Sequence, residues 1–167
     1  MAGSLMKIDE EIVTSAVASV ELGGTNWDSS YDVYLVVFSG IEMSANAIIR
    51  ARVTESGTAN TTSNYDYAHE YLKSASAFGT NVATNSDKWN ITATNDSTQI
   101  GHSASLYLFN FNNSSEYSFA TIESTFSGNG FAGGGVFTST SSCDGIQFIL
   151  STGNYEAGTF TLYSLKK

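Results

Sequence analysis

Apolar and polar residues alternate with a period of two along most of this 167-residue chain. In the stretch NAIIRARVT, the residues of one face are Ala47, Ile49, Ala51 and Val53. A period of two puts neighbouring side chains on opposite faces of a β-strand, so it predicts strands with one buried face. The same pattern recurs in YDYAHEYL, GHSASLYLFNF, IQFIL and GTFTLYSLKK. A fold built of strands is therefore expected.

Clusters of Gly, Ser, Asn and Thr, such as GGTNWDSS and SGNGFAGGG, separate these strands and indicate turns. About nine short strands with such spacing, and no convincing long helix, predict an all-β fold: a single-domain antiparallel β-sandwich of jelly-roll-like type. The stretch YDVYLVVF is apolar on both faces and predicts a central strand. We expect residues 1–22 to form an attachment arm with the first strand, and residues 23–167 to form the sandwich.

Charge excludes some classes of partner. Charged residues are only 14% of the chain and the net charge is −9, with seven scattered Lys and Arg. Nucleic-acid binding needs clustered cations, so neither nucleic acid nor an anionic membrane surface is an expected partner. The N-terminal stretch MAGSLMKIDEEIV turns acidic where a signal peptide would be apolar, and no run is long enough for a membrane span. We therefore expect synthesis in a cytoplasm and no membrane insertion.

The chain contains no proline. Proline is one of the residues that protect the edges of β-sheets against pairing with other chains. Its absence permits strand pairing almost anywhere, including between subunits, and the edges then need another form of protection. Burial in an oligomer is the protection that the sequence favours.

No pattern in the sequence predicts catalysis. Cys143 is the single cysteine, and the two histidines, His69 and His102, lie on different predicted strands without a ligand-like neighbour. Oxygen ligands for calcium could come from Asn26, Asp28 and Asp32, although the same residue types also form ordinary turns. We expect no catalytic residue, no metal and no cofactor.

Candidate contact residues lie in two of the predicted loops. Trp27 and Tyr31 stand among Asp and Ser residues, and exposed Trp and Tyr anchor interfaces and stack on sugars. Asn129 and Phe131 belong to the glycine-rich stretch SGNGFAGGG, which predicts a mobile loop, tight bulges before VFTST, or an exposed contact loop. We expect these four residues to face a partner.

Two arginines are candidates for a contact between subunits. Arg50 and Arg52 share one face of a predicted strand, so their positive charges need either carboxylate partners or contact with solvent. Glu123 on the stretch YSFATIES is a candidate partner across a subunit boundary. A solvated edge face is the alternative.

Several segments in order resemble one group of proteins. They are MKIDEEIVTSAVASVEL, YDVYLVVFSGI, IIRARVTESGTANTTSNYDYA, SLYLFNFNNSSEYSF and GIQFILSTGNYEAGTFTLYSLKK. Together they cover nearly the whole chain, which resembles small virion structural proteins of tailed bacteriophages of marine bacteria and cyanobacteria. The sequence departs from that group at Ser164, where glycine is usual.

The resemblance implies a jelly-roll-like sandwich that is located in a virion, made in the host cytoplasm, and not an enzyme. Such a protein decorates the capsid or forms a tail or neck fibre or knob, with itself and other virion proteins as partners. By analogy at the level of the fold, we expect a homotrimer. The N-terminal arm, with Ile8, Ile12 and Val13, is the expected attachment to the virion. The alternative is a carbohydrate-binding adhesin for host attachment, which recognises a surface polysaccharide.

Overall fold

The computed structural model of the chain describes residues 4–73, 78–92, 101–126 and 129–165. Within these ranges the chain forms thirteen strands and one short 3₁₀ helix at Gly24–Asn26. The strands are β1 (Leu5–Val13), β2 (Ser19–Gly23), β3 (Val33–Met43), β4 (Ile49–Glu55), β5 (Thr58–Ala59), β6 (Tyr65–Lys73), β7 (Gly79–Ser86), β8 (Trp89–Asn90), β9 (His102–Phe109), β10 (Ser118–Phe126), β11 (Asn129–Phe137), β12 (Gly145–Leu150) and β13 (Tyr155–Leu165).

The strands form two antiparallel sheets. The large sheet has eight strands in the order β1-β13-β3-β9-β10-β11-β6-β7. The small sheet has the order β2-β12-β4-β5, and β8 also pairs with β4. The two sheets pack face to face around one core, which confirms the predicted single-domain β-sandwich of jelly-roll-like type.

The core contains the residues that the alternation predicts to be buried. The alternating residues from Ala47 to Val53 are all buried, and so are Phe160 and Leu162 of β13. The strand β3 lies between β13 and β9 and is buried on both faces over Tyr34–Val36, as predicted. Nine aromatic side chains are among the largest fully buried groups: Tyr34, Phe38, Tyr65, Trp89, Phe111, Phe137, Phe148, Tyr155 and Phe160. Burial of such large rings contributes strongly to the hydrophobic stabilisation of the core.

Alternation fails where a strand ends. The pattern in SLYLFNF would place Phe111 on the same outer face as Tyr107 and Phe109. The strand β9 instead ends at Phe109, and Asn110 takes a left-handed conformation with φ 62°. Asn tolerates this conformation better than most residues, and the reversal turns Phe111 into the core.

The glycine-rich stretch is a strand, and the prediction of a loop is wrong for its described part. Residues 129–137 form β11, which pairs with β10 on one side and with β6 on the other. Ser127 and Gly128 lie outside the described residues. Backbone hydrogen bonds form a ladder without side chains, so an interior strand can contain three consecutive glycines where both neighbours complete the ladder.

The N-terminal residues belong to the sandwich. The strand β1 pairs along its length with β13, from Leu5 opposite Leu165 to Val13 opposite Gly158. The strand β2 starts the small sheet. Residues 5–13 are therefore an edge strand of the large sheet and not a separate arm, whereas their attachment role stays a prediction. The last two residues of GTFTLYSLKK, Lys166 and Lys167, lie outside the described residues.

Candidate functional site

The loop with Trp27 and Tyr31 is fastened to the sandwich. The Trp27 ring stacks on Tyr34 with ring centroids 3.9 Å apart, and its Nε1 donates to Oδ1 of Asn112 at 2.8 Å. The amide of Asn112 donates in turn to the Tyr31 carbonyl and to the Tyr34 hydroxyl. Trp27 and Tyr31 are both half-buried and pack against the core. The expectation of an exposed Trp27 is wrong, because the ring and its N–H already have partners within the chain.

The two predicted contact residues of the glycine-rich stretch have different surroundings. Phe131 is only 2% exposed, and its ring centroid lies 4.3 Å from that of His69 in the core. Its side chain therefore cannot contact a partner in this conformation, which corrects the prediction. Asn129 is half-buried at the start of β11, opposite Phe126 and Lys73, and its contact role stays a prediction.

Arg52 finds its carboxylate within the chain. Its Nη2 lies 2.7 Å from Oδ2 of Asp87, and its Nε donates to the Asp87 carbonyl at 3.0 Å. Burial raises the pKa of Asp87, but hydrogen bonds from Lys88 and Arg52 outweigh it and hold that pKa below its ordinary value. A fork of two hydrogen bonds suits guanidinium, so Arg52 fixes the segment before β8. Within one chain Arg52 therefore pairs with Asp87, and its contact with Glu123 of another subunit stays a prediction.

Arg50 and Glu123 lie on different sheets. Arg50 is half-buried on β4 of the small sheet, and its Nε has no hydrogen-bond partner among the described residues. Glu123 is exposed on β10 of the large sheet. The structure does not bring the two together within one chain, and a contact between subunits stays a prediction.

The three residues of the predicted arm have separate surroundings on β1. Val13 is buried, Ile8 packs partly against the core, and Ile12 is 59% exposed. Ile12 therefore presents an apolar side chain at this edge of the large sheet, whereas Val13 belongs to the core.

The candidate catalytic groups are buried without activating partners. Burial raises the pKa of the Cys143 thiol to about 12, a change only partly offset by its contact with Ser118. Neither ring nitrogen of His69 or His102 has a hydrogen-bond partner among the described residues. A cysteine nucleophile needs a lowered pKa, and burial shifts the pKa of Cys143 in the opposite direction.

The predicted calcium loop has its own hydrogen bonds. Oδ1 of Asp28 accepts the Ser30 N–H at 3.0 Å, and Nδ2 of Asn26 donates to Asp9 at 3.0 Å. In the described parts of the chain, no three His, Cys, Asp or Glu side chains are grouped as a metal site. The bond from Ser30 to Asp28 is that of an ordinary turn, whereas the bond from Asn26 to Asp9 connects the loop to β1.

The outer face of the large sheet has a feature that the site predictions missed. Val33, Phe109, Phe119 and Val136 lie in register across β3, β9, β10 and β11. Tyr163, Leu35 and Tyr107 form the neighbouring row. We call these seven residues the aromatic band. Tyr107 and Phe119 are 40% and 44% exposed, and the band contains no charged residue. The signal in the sequence is that SLYLF is apolar at every position after its serine, so both faces of β9 are apolar over residues 106–109.

A shallow groove of about 880 Å³ adjoins the aromatic band. Its floor consists of small residues, Ala68, Gly134 and Gly135, because β6 and β11 carry no large outward side chain there. Its sides include Phe119 and Val82, and Asp66 and Thr121 provide polar groups. An apolar floor with a few polar groups at its margin is typical of binding surfaces for small ligands.

Comparison with known proteins does not assign the chain to a family. No protein-family model matches the chain, and no curated protein matches it either. Among the described residues there is no helix with the length and apolar character that crossing a membrane requires.

Proposed function

We propose that this chain is a non-enzymatic structural protein of a bacteriophage virion, which decorates the capsid or forms part of a tail or neck fibre or knob. The observation that supports the proposal most strongly is the aromatic band. A continuous uncharged surface with exposed Tyr107 and Phe119 stands out on a protein of net charge −9. Exposed apolar patches of this kind mark protein contacts, and aromatic residues dominate the energetics of such contacts.

The sandwich itself suits a structural role. The single thiol, Cys143, and both imidazoles, His69 and His102, are buried in the core, while the outer face of the large sheet carries the exposed aromatic band. Assembly with further copies of the chain and with other virion proteins would bury the aromatic band. The resemblance to phage virion proteins across nearly the whole sequence points in the same direction.

The proposed location in the virion can be tested with purified phage particles. Purified virions of the phage that carries the gene should contain the chain by mass spectrometry, and gold-labelled antibodies should place it at one site of the particle. Absence from purified virions, together with presence in lysates of infected cells, would sink the proposal. The labelled position would also separate capsid decoration from a tail or neck appendage.

The groove supports a second candidate function, an adhesin for a host surface polysaccharide. Sugar rings stack their C–H faces on aromatic side chains, and their hydroxyls need polar partners. Phe119 provides the ring at the groove, while Asp66 and Thr121 provide an acceptor carboxylate and a hydroxyl. Because Trp27 is half-buried, Phe119 replaces it as the aromatic residue best placed for a sugar.

A glycan array with the purified protein tests the adhesin function. We expect Phe119→Ala to weaken any binding at least tenfold, which corresponds to the loss of about 1.4 kcal/mol. Tyr117→Ala is the matched control, since Tyr117 is equally exposed but does not line the groove. Equal weakening by both substitutions, or no binding to any glycan, would exclude this groove as the site.

A further inference from the structure

The two outer strands of the large sheet differ in how their free edges are protected. The edge strand β1 carries Lys7, Asp9, Glu10 and Glu11, and its register with β13 shifts between Lys7 and Asp9. Charged side chains and register irregularities are the usual means of preventing a sheet edge from pairing with another chain. The edge formed by β1 is therefore well protected.

The opposite edge, β7, lacks this protection. Its sequence GTNVATNS contains neither a charge nor a proline over Gly79–Ser86. It pairs with β6 on one side, and no described strand pairs with it on the other. Its irregularity lies towards its end, at Asn85, where φ is 53°. Along Thr80–Thr84, every second residue thus directs its N–H and C=O groups away from β6 towards an open edge.

We propose that β7 pairs antiparallel with β7 of a second copy of this chain, with Val82 on the two-fold axis. An edge that exposes unpaired backbone groups is a template for a further strand, and an identical strand in antiparallel orientation satisfies both edges at once. The two large sheets then form one continuous sheet across the dimer. A two-fold contact of this kind gives a dimer instead of the homotrimer that analogy at the level of the fold suggests. This inference deepens the proposed structural role and rests on it, because it identifies one contact through which the protein assembles.

The side chains of β7 suit pairing in this register. With Val82 on the axis, Val82 faces its own counterpart, and Thr80 of one copy faces Thr84 of the other. Pairs of β-branched residues and Thr–Thr pairs are among the favourable cross-strand combinations. All three residues are exposed on the outer face of the sheet, so the pairing requires no rearrangement of the core.

Exposed apolar side chains surround the same edge. Val82 is 68% exposed, and Phe78 directly before β7 and Leu72 on β6 are also largely exposed. In the antiparallel pairing of β6 with β7, Tyr71 lies opposite Gly79. Leu72, the next residue along β6, therefore lies next to Phe78, the residue before Gly79. The hydrogen bonds of the edge alone would bury less surface than a stable dimer needs, and these three side chains add the apolar area around them.

Charge favours a second copy at β7 over a second copy at β1. Each copy carries a net charge of −9, so two copies repel wherever carboxylates face each other. Antiparallel self-pairing of β1 centred on Glu10 would place Asp9 opposite Glu11. Self-pairing of β7 from Gly79 to Ser86 brings no charged residues together.

A lysine substitution at Val82, on the proposed two-fold axis, tests whether β7 pairs with itself. Val82→Lys places two like charges directly opposite each other in the proposed dimer, and lysine is a residue that natural edge strands use against pairing. Ile12→Lys is the matched control, because Ile12 is 59% exposed on the opposite edge of the same sheet. Light scattering coupled to size-exclusion chromatography over a series of concentrations gives the dissociation constant of each protein.

We expect dimers for the wild type and for Ile12→Lys, and a dissociation constant at least tenfold higher for Val82→Lys. Thermal unfolding at low concentration should show that both variants are folded, since both positions are exposed. A wild-type protein that is monomeric at every concentration would overturn the proposal and leave the edge to a strand of another protein. Equal dimerisation of Val82→Lys and wild type would overturn it as well.

A cysteine at the same position tests the register. The single native thiol, Cys143, is buried, so an introduced thiol reports on its own position. Under mild oxidation, Val82→Cys should form a disulfide-linked dimer, and Ile12→Cys should remain monomeric on a non-reducing gel. Cross-linking of both to the same extent would contradict the two-fold axis at Val82. These measurements use purified protein and do not depend on the virion. If the purified protein does not dimerise through β7 but virions contain the chain, the proposed function stands and only this contact is excluded.

Discussion

At the scale of single residues, His69 is the group whose burial has the clearest chemical consequence. Its ring lies between Tyr67 and Phe131, with ring centroids 5.1 Å and 4.3 Å away. Neither ring nitrogen has a hydrogen-bond partner among the described residues. Burial therefore lowers the pKa of His69 to about 4, and the ring is neutral in the folded protein near neutral pH.

We expect this burial to make the protein less stable in mild acid. The ordinary pKa of 6.5 applies in the unfolded chain, so between pH 6.5 and 4 the unfolded state binds the proton and the folded state does not. The contribution of His69 to the free energy of unfolding should then fall as pH falls through this window and level off below it. The full effect is about 3 kcal/mol. Urea unfolding at pH 7 and at pH 5 measures the upper part of it.

The control for this prediction is His69→Phe, which keeps an aromatic ring between Tyr67 and Phe131 but cannot bind a proton. All other ionisable groups are shared, so the difference in slope between the two proteins isolates His69. The phenylalanine variant should lose less stability between pH 7 and pH 5 than the wild type. Parallel pH profiles would show that His69 is accessible to protons in the folded state.

Single residues also show what sequence patterns leave open. Trp27 and Phe131 are surrounded in the sequence by small polar residues and glycine, which predicts exposure. Trp27 is half-buried by its contact with Tyr34 and its hydrogen bond to Asn112, 85 residues away, and Phe131 is buried against His69. Local composition contains no information about such distant partners, so these two predictions fail where tertiary contacts decide burial.

At the scale of elements, the glycines of β11 fit a close approach between strands. A Cβ on Gly133 would lie 2.3 Å from the Ala68 carbonyl oxygen and 2.6 Å from Cδ2 of His69. At Gly130, on the same strand, the closest heavy atom would be 3.8 Å away. The two glycines therefore differ in whether a methyl group can be accommodated.

We expect Gly133→Ala to destabilise the protein by about 2 kcal/mol or more, because the Ala68 carbonyl is backbone and β6 must shift. Gly130→Ala should change the free energy of unfolding by less than about 1 kcal/mol, and in the stabilising direction if the unfolded chain loses freedom. Thermal and urea unfolding of the two variants gives the comparison. Equal changes in the free energy of unfolding for the two variants would mean that β6 can move away from β11 at little cost in free energy.

The same strand shows why some elements could be predicted from the sequence and others not. The burial of alternate residues from Ala47 to Val53 follows from alternation, and so does the inner face of β9, with Ala104, Leu106 and Leu108. The strands β7 and β11 have few apolar side chains, and the alternating signal is absent. Their neighbours in the sheet determine that they are strands, so they were not predicted. The aromatic band lies on predicted strands, but its continuity depends on the order of β3, β9 and β10.

At the scale of the whole molecule, the sheet order brings distant parts of the chain together. The strand β1 forms the edge of the large sheet, and β13 lies between β1 and β3. The first described strand, β1, thus covers the outer edge of the last described strand, β13. Val13 at the end of β1 is buried in the core, and Asp9 accepts hydrogen bonds from the Gly23 N–H and the Asn26 amide. These contacts connect β1 to both sheets.

Removal of residues 1–13 should therefore destabilise the sandwich itself. Without β1, the edge of β13 would expose its N–H and C=O groups, and the core would lose Val13. We expect a loss of about 3 kcal/mol or more in the free energy of unfolding, and aggregation through the new edge. Val13→Ala, which keeps the strand, should cost about 2 kcal/mol. Thermal unfolding with light scattering measures both, and a deletion variant with the wild-type unfolding midpoint and no aggregation would show instead that residues 1–13 are an independent arm.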